Sequence, residues 1–423
     1  MQTNTTNHIT TIKTEKFKTT LIKVSFKAEL QRSTVTARIL LANVLRNSSQ
    51  HFTSKKALSA HLEELYGASL SVSAKKQGKL HTISFYIQVA NEKFLKAAPP
   101  LFEHALKVLG EVALNPRICN ETFNAEVVTL EKRLLKEDIE SIYDDKTTYA
   151  LKKMVARMCH SENYGVSGDG YTSDLADINE RTLVDTYQSM LENDDMQVTV
   201  LGDMEHEETV NLITQHFKID NNMRSSLEAI DREEKEIHEI TELKEEQLIN
   251  QTKLNMGYRT YTRITDEDYF ALLVVNGVFG AYAHSKLFMN VREKESLCYY
   301  CTSQLDNFKG LMYVYSGLDV MQVPKAIQII DKQLMDIVLG DFTEQELSLA
   351  KKSLTNAKRE SLDSASGMLS DLEMGLLLGL TADEFVGKIE AVTKSDVQRV
   401  AEKIKKDTVF TLEPSGSDEE ALS

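Results

Sequence analysis

The sequence predicts two tandem α+β domains of the same architecture, and three observations carry that expectation. Helix-like and strand-like segments alternate, and their order in the first half returns in the second, the pattern to look for before any other. The length, 423 residues, favours two to four domains. A composition 42% hydrophobic and 27% charged, with only 5 prolines and no tryptophan, suits globular cores and excludes fibrous or wholly disordered chains.

In the first half, Thr20–Phe26 (TLIKVSF) alternates as a strand with one buried face. Ala37–Leu45 is an apolar helical stretch. Ser54–Leu65 follows with Leu58, Leu62 and Leu65 at helical spacing, and Gly67 stops it. His81–Val89 is β-branched and aromatic, hence strand. Phe94–Leu109 reads as a helix whose first turns Pro99 and Pro100 break or offset, and Glu121–Ser141 as a long amphipathic helix. The second half repeats the order. Leu254–Tyr258 is a strand, Tyr269–Phe279 an apolar helix and Leu287–Arg292 a short one. Leu311–Ser316 is a strand, Pro324–Val338 a helix and Glu344–Asp363 long and amphipathic again. Each half closes on an apolar series spaced by five and then seven residues. Ile178, Leu183 and Met190 precede a strand at Gln197–Leu201, and Val392, Val397 and Ile404 precede one at Thr408–Leu412. The domains are thus expected at 1–218 and 251–423, joined by a charged, solvated linker at 219–250, with a frayed end at 415–423.

Lys and Arg number 49 against 64 Asp and Glu, a formal charge of −15. Without a dense basic block, such a chain suits neither nucleic acid nor an anionic membrane surface. Its longest apolar run, Ala271–Ala281, is interrupted at Asn276 and Gly277. It falls short of the roughly 20 residues a bilayer needs. The first 25 residues are polar, with no apolar signal core, and four cysteines do not make a disulfide framework. A soluble cytoplasmic protein is the expectation.

At Ser285–Tyr299 (SKLFMNVREKESLCY) a short helix runs into Arg-Glu-x-x-x-Leu-x-Tyr, filled by Arg292, Glu293, Leu297 and Tyr299. With Leu65–Leu70 (LYGASL) as the turn after the second helix, this resembles the pitrilysin/insulinase-type metallopeptidases, a superfamily that includes mitochondrial processing peptidase and the core subunits of respiratory complex III. The resemblance runs from about residue 12 to 412 and implies the small two-domain bacterial type. The family's catalytic centre is an inverted zinc motif, His-x-x-Glu-His, on the first helix. Two imidazoles one turn apart ligate zinc, and the glutamate faces the bound water as base. A second glutamate, on the long helix downstream, completes the site.

Here the motif positions are expected near Leu41–Leu45 (LANVL), and Gln31–Gln50 contains no His, Asp or Glu. The expectation is therefore no metal, no cofactor and no catalytic residue. Glu126, Glu131 and Glu137 on the long helix read as a solvated face with lysines nearby. His61-Leu-Glu-Glu64 mimics His-x-x-Glu on the second helix, but Leu65 stands where the other ligand belongs. It reads as the outer face of a helix buried through Leu58, Leu62 and Leu65.

Cys298-Tyr-Tyr-Cys301 has no second cysteine pair to complete a zinc knuckle, and positions i and i+3 of a strand face opposite ways, which argues against a dithiol. Cys159-His160 is a lone adjacent pair and reads as structural. No glycine-rich phosphate loop is present. By themselves, Arg292 and Tyr299 would be a salt-bridging arginine and a packing tyrosine. The resemblance implies more: side chains that hydrogen-bond the substrate backbone and steady the oxyanion, acting across a dimer on the other subunit's zinc site. A first helix without ligands beside a retained Arg/Tyr motif implies the non-catalytic subunit of a heterodimeric peptidase. Its partner would be a zinc-bearing homologue, or a second copy by self-association, and its substrates peptides or small unfolded proteins. The alternative is a purely structural or assembly role with no part in proteolysis.

Overall fold

The computed structural model describes residues 2–6, 8–96, 99–217 and 227–415. The chain begins with β1 (Gln2–Thr6), β2 (Ile9–Lys13), β3 (Thr19–Glu29), α1 (Val35–Leu45), α2 (Lys55–Glu64), β4 (Ser69–Gln77) and β5 (Leu80–Ala90). It continues through α3 (Leu101–Leu114), α4 (Ala125–Ser141), α5 (Lys146–Met158), α6 (Glu180–Asn193), β6 (Asp195–Gly202) and α7 (His206–His216). Then come β7 (Thr241–Gln247), β8 (Thr252–Arg259), α8 (Tyr269–Asn276), β9 (Cys298–Asp306), β10 (Leu311–Leu318) and α9 (Val323–Val338). The last elements are α10 (Glu344–Ser361), α11 (Ala365–Leu378), α12 (Ala382–Ala391), α13 (Lys394–Ala401) and β11 (Lys405–Pro414).

Two compact units result, 1–141 with 166–229 and 142–165 with 230–423. The first is built on a six-stranded sheet, β1-β2-β6-β3-β5-β4, and the second on a five-stranded sheet, β7-β11-β8-β10-β9. The repeat is explicit in this order. The series β2-β6-β3-β5-β4 matches β7-β11-β8-β10-β9 strand for strand, down to the one parallel pair, β2 with β6 and β7 with β11. Helices pack on each sheet around an apolar core, that of the first unit gathered about Val24, Leu41 and Phe85 and that of the second about Met256, Val275 and Val314.

Local chemistry sets the helix ends. Thr343, Thr381 and Thr393 each cap a helix start and receive Glu346, Glu384 and Asp396 in return, reciprocal boxes that satisfy free backbone donors. The helix expected from Phe94 begins only at Leu101, because Pro99-Pro100 offers no amide protons and restricts the residue before it. The long helix starts at Ala125 rather than Glu121, since Asn120 and Glu121 sit in the left-handed region at φ of 52° and 61°.

The segment expected to be linker is partly sheet. Thr241–Gln247 (TELKEEQ) is the parallel edge strand β7, its charged side chains guarding an open edge, and Ile230 is buried in the second core. Residues 219–226 of that segment and 416–423 of the C-terminal end lie outside the described residues. Helix α5 belongs to the second unit, where Gly257 lets β8 press against Met158; a Cβ there would lie 2.6 Å from its Sδ. A buried ionic cluster ties the loop after α5 to this sheet. Arg259 donates to Glu162 at 2.5 Å and to Asp407 at 2.7 Å, while Lys309 reaches Glu162 at 2.7 Å and Asp231 at 3.1 Å. Stripping one partner from such a cluster costs about 3–5 kcal/mol, so it fixes which unit the loop joins.

Candidate functional site

Helix α1 is buried on nearly every side: Leu40, Leu41, Ala42, Val44 and Leu45 are all in the core. A helix that is apolar on nearly every side is held inside its domain rather than lying on it, and its one buried charge, Arg38, is paired with Asp194 at 2.7 Å. Polar contacts gather again at its end. Asn47 Nδ2 donates to the Asn43 carbonyl at 2.7 Å and to Glu131 Oε1 of α4 at 2.9 Å, while Arg46 Nη2 donates to Glu131 Oε2 at 3.2 Å. Glu131 is 2% exposed. The expectation of a solvated glutamate face is therefore corrected at this one residue; Glu126 and Glu137 are exposed as expected. The signal was available, because Glu131 falls three residues after Val128 and four before Leu135, both buried.

Asn43, Arg46 and Asn47 share the i, i+3, i+4 spacing of His-x-x-Glu-His, two residues on from the stretch Leu41–Leu45, and the last two of them meet the downstream glutamate. Two amides and a guanidinium are not zinc donors, and Arg46 sets a fixed positive charge where a cation would bind. These residues do not fit the metal. Among the described residues no group of three His, Cys, Asp or Glu side chains gathers to hold one elsewhere. His61 lies tilted against the Phe52 ring, 5.0 Å between ring centres, and 3.4 Å from the exposed Glu64, a surface pair over buried Leu58 and Leu65.

The second unit holds the other expected residues. After α8, Gly277–Ala281 winds as a wide π-helical turn, and so does Phe288–Lys294, which carries Arg292. Ser296, at φ of 50°, then turns the chain into β9. The Arg292 guanidinium lies over the Phe288 ring at 4.5 Å, and among the described residues its one ion-pair neighbour is Glu293 at 3.6 Å. Arg292, Phe288, Tyr282, Tyr300 and Cys301 line a cavity of about 170 Å³. Tyr299 does not line it: that side chain is 82% exposed. The structure thus brings Arg292 together with Tyr300, which sequence reasoning did not single out, and leaves Tyr299 on the open surface.

A β-bulge explains the exchange. In the ladder between β9 and β10, Cys301 faces Ser316 and Tyr300 faces Gly317, but Leu318 faces Cys298, so Tyr299 is an extra residue. Gly317 is required opposite Tyr300, since a Cβ there would come within 2.7 Å of the Tyr300 ring. Because Ser316 and Leu318 lie on one face of β10, their partners Cys301 and Cys298 also share a face. The expectation that these cysteines point apart is overturned. The neighbouring Cys301 thiol, aided by Ser316 and the Arg292 charge against the opposing effect of burial, lowers the Cys298 thiol to about 7, while the Cys301 thiol is pushed up.

Fold and site together define a peptidase-like protein without a catalytic centre of its own. Comparison with known proteins agrees. The family described as Peptidase M16 inactive domain matches residues 177–354. The chain is 37% identical over 409 residues to the "Probable inactive metalloprotease YmfF" of Bacillus subtilis (strain 168), across 96% of this chain and 95% of that one. It is 25% identical over 332 residues, 76% of this chain and 78% of the other, to the "Uncharacterized zinc protease YmxG" of the same bacterium. A conserved protein from Enterococcus faecalis V583, solved by crystallography, matches with a TM-score of 0.90 at 33% identity over 97% of both chains. The chain belongs to the pitrilysin-like M16 peptidase family, as an inactive member that is not an enzyme on its own. Among the described residues no helix is long and apolar enough to cross a membrane.

Proposed function

We propose that this protein is the non-catalytic subunit of a cytoplasmic two-subunit zinc peptidase. It has lost its own metal, and Arg292 and Tyr299 bind substrate at the zinc centre of a homologous partner. The observation that carries this reading is a contrast in how polar groups are used. Glu131 is closed off by Arg46 and Asn47, whereas Tyr299 stands open and Arg292, lying over the Phe288 ring, has among the described residues one ion-pair neighbour, Glu293 at 3.6 Å. An exposed tyrosine hydroxyl and an arginine with a single ion-pair neighbour among the described residues are groups suited to donate to a peptide carbonyl and to the charge that develops on it during cleavage. Peptides or small unfolded proteins are the substrates this arrangement would take.

The test is co-expression with a zinc-bearing M16 homologue from the same genome, followed by co-purification and peptide cleavage. A near one-to-one complex is expected. Arg292→Ala is expected to lower its kcat by about 100-fold, in the range for losing one oxyanion donor, and Tyr299→Phe by less. Unchanged turnover in an intact complex would leave a structural or assembly role in place of the trans-acting one. Failure of the two chains to associate would remove the heterodimer as well.

A further inference from the structure

Three features lie outside the reading above: an apolar cavity of the first unit beside His216, the ionic cluster around Arg259, and the cysteine pair at the bulge. The cysteine pair carries chemistry furthest. Without a bulge, residues three apart in a strand would be separated by roughly 10 Å at Cα, beyond the reach of a disulfide. With Tyr299 as the extra residue, Cys298 and Cys301 face positions only two apart on β10, Leu318 and Ser316. That corresponds to a Cα separation of about 6.7 Å, at the upper edge of the span a disulfide bridges. Cys298 is half-buried at the start of the strand, and Cys301 is 3% exposed on the cavity wall.

We infer that Cys298 and Cys301 form a modification site, a dithiol that low-molecular-weight disulfides convert reversibly into an intrachain disulfide beside Arg292. The division of labour follows from the surroundings. Cys298, lowered to about 7 by the neighbouring Cys301 thiol and with Arg292 adding positive charge, is the thiolate that attacks; Cys301 keeps its proton and resolves. In the first step the Cys298 thiolate attacks one sulfur of the small disulfide, whose S–S bond breaks to release one thiolate. That thiolate takes the Cys301 proton. Cys301 then attacks Cys298 Sγ and expels the second small thiol, which is protonated by the proton Cys298 gave up. Two protein thiols are oxidised by two electrons and one small disulfide is reduced to two thiols. A bridge at the limit of its span is readily reduced, so the site is suited to switching rather than to permanent stapling.

The reduced full-length chain is treated with oxidised glutathione, trapped with N-ethylmaleimide, digested and read by mass spectrometry. The peptide holding Cys298 and Cys301 is expected to lose two hydrogens and to carry no maleimide, a change that dithiothreitol reverses. Cys119, exposed and alone, carries a glutathione or maleimide adduct and serves as the internal control. In Cys301→Ser the reaction is expected to stop at glutathione on Cys298, and in Cys298→Ser no disulfide to Cys301 should form. A stable glutathione adduct on Cys298 in the native chain, or full maleimide labelling of both cysteines, would overturn the inference. Neither outcome depends on the variants folding, and neither bears on whether a zinc-bearing partner exists.

Discussion

The helix pairs α1–α4 and α8–α10 occupy the same places in the repeat, yet different chemistry joins them. In the first unit the end of α1 meets α4 through Arg46, Asn47 and the buried Glu131. In the second, the turn after α8 meets α10 through bare backbone: a Cβ on Gly277 would lie 3.0 Å from the Cβ of Ala350. The central strands differ in the same direction. Both β5 and β10 open with a buried leucine, but the fully buried residue after it is His81 in one and Met312 in the other. The second unit shows that this scaffold packs well with apolar groups at these positions. Polar groups in the first unit are therefore not demanded by the fold, and a buried ion pair is weak evidence for stability in any case.

The largest effect that would separate the units is acid sensitivity. His81 has neither ring nitrogen hydrogen-bonded, and burial first, then the nearby Arg38 charge, lowers it to about 3. Above pH 6.5 both folded and unfolded chains hold it neutral, and its contribution is complete. As pH falls below 6.5 the unfolded chain takes up a proton that the folded one refuses. Stability drains until about pH 3, by about 2 kcal/mol at pH 5 and about 5 in total. Asp194, raised by burial despite Arg38, binds its proton earlier in the folded state and offsets part of the loss at the acid end. His81→Met, copying Met312, should flatten the dependence between pH 7 and 5. Hydrogen exchange at the β5 amides reads this directly, and an equal pH dependence in both chains would refute it.

Next comes the clasp on Glu131. Arg46→Met should cost about 1–3 kcal/mol, because the buried carboxylate keeps only Asn47; the figure is held down by the 39% exposure of the Arg46 side chain. Adding Glu131→Gln removes the stranded charge and should recover much of the loss. Urea denaturation of the two variants decides it. A double variant worse than the single would mean that Glu131 is stabilised by something other than Arg46.

How much of this could be read in advance follows the same divide between apolar and polar signals. Strands β3, β5, β8 and β10 and helix α1 were legible because runs such as Thr20–Phe26 and Leu40–Leu45 are rich in apolar residues, although Thr20–Phe26 is buried on both faces, Lys23 and Ser25 included, rather than on the one its alternation suggested. The matched series ending at Met190 and Ile404 exposed the repeat for the same reason. Strands β2 (ITTIK) and β7 (TELKEEQ) were not legible, since what makes them strands is pairing in parallel with distant β6 and β11. The bulge at Tyr299 left no trace at all. It depends on Tyr300 lying across Gly317, a contact between strands, and with it went the correct facing of the two cysteines. Arg292 and Tyr299 were found by resemblance alone; nothing in their spacing placed Arg292 beside Tyr300.

The smallest effect tests the apolar side of the comparison. Gly277 has ordinary helical angles, φ of −62° and ψ of −43°, so backbone freedom is not the reason for glycine there. A methyl group at this position would gain about 0.5–1 kcal/mol from helix propensity, and lose a similar or larger amount by crowding Ala350 and, at 3.4 Å, the Tyr282 ring. Gly277→Ala alone should therefore change stability by no more than about 1 kcal/mol, towards destabilisation. Ala350→Gly alone should cost about 1 kcal/mol of helix propensity. Together the two changes move the methyl from one helix to the other and relieve the crowding, so the pair should be less harmful than the sum of the singles, with a coupling of about 0.5–1 kcal/mol. Additive losses would show that Ala350 has room to yield, and that the close approach of α10 to the turn after α8 is not what keeps glycine at 277.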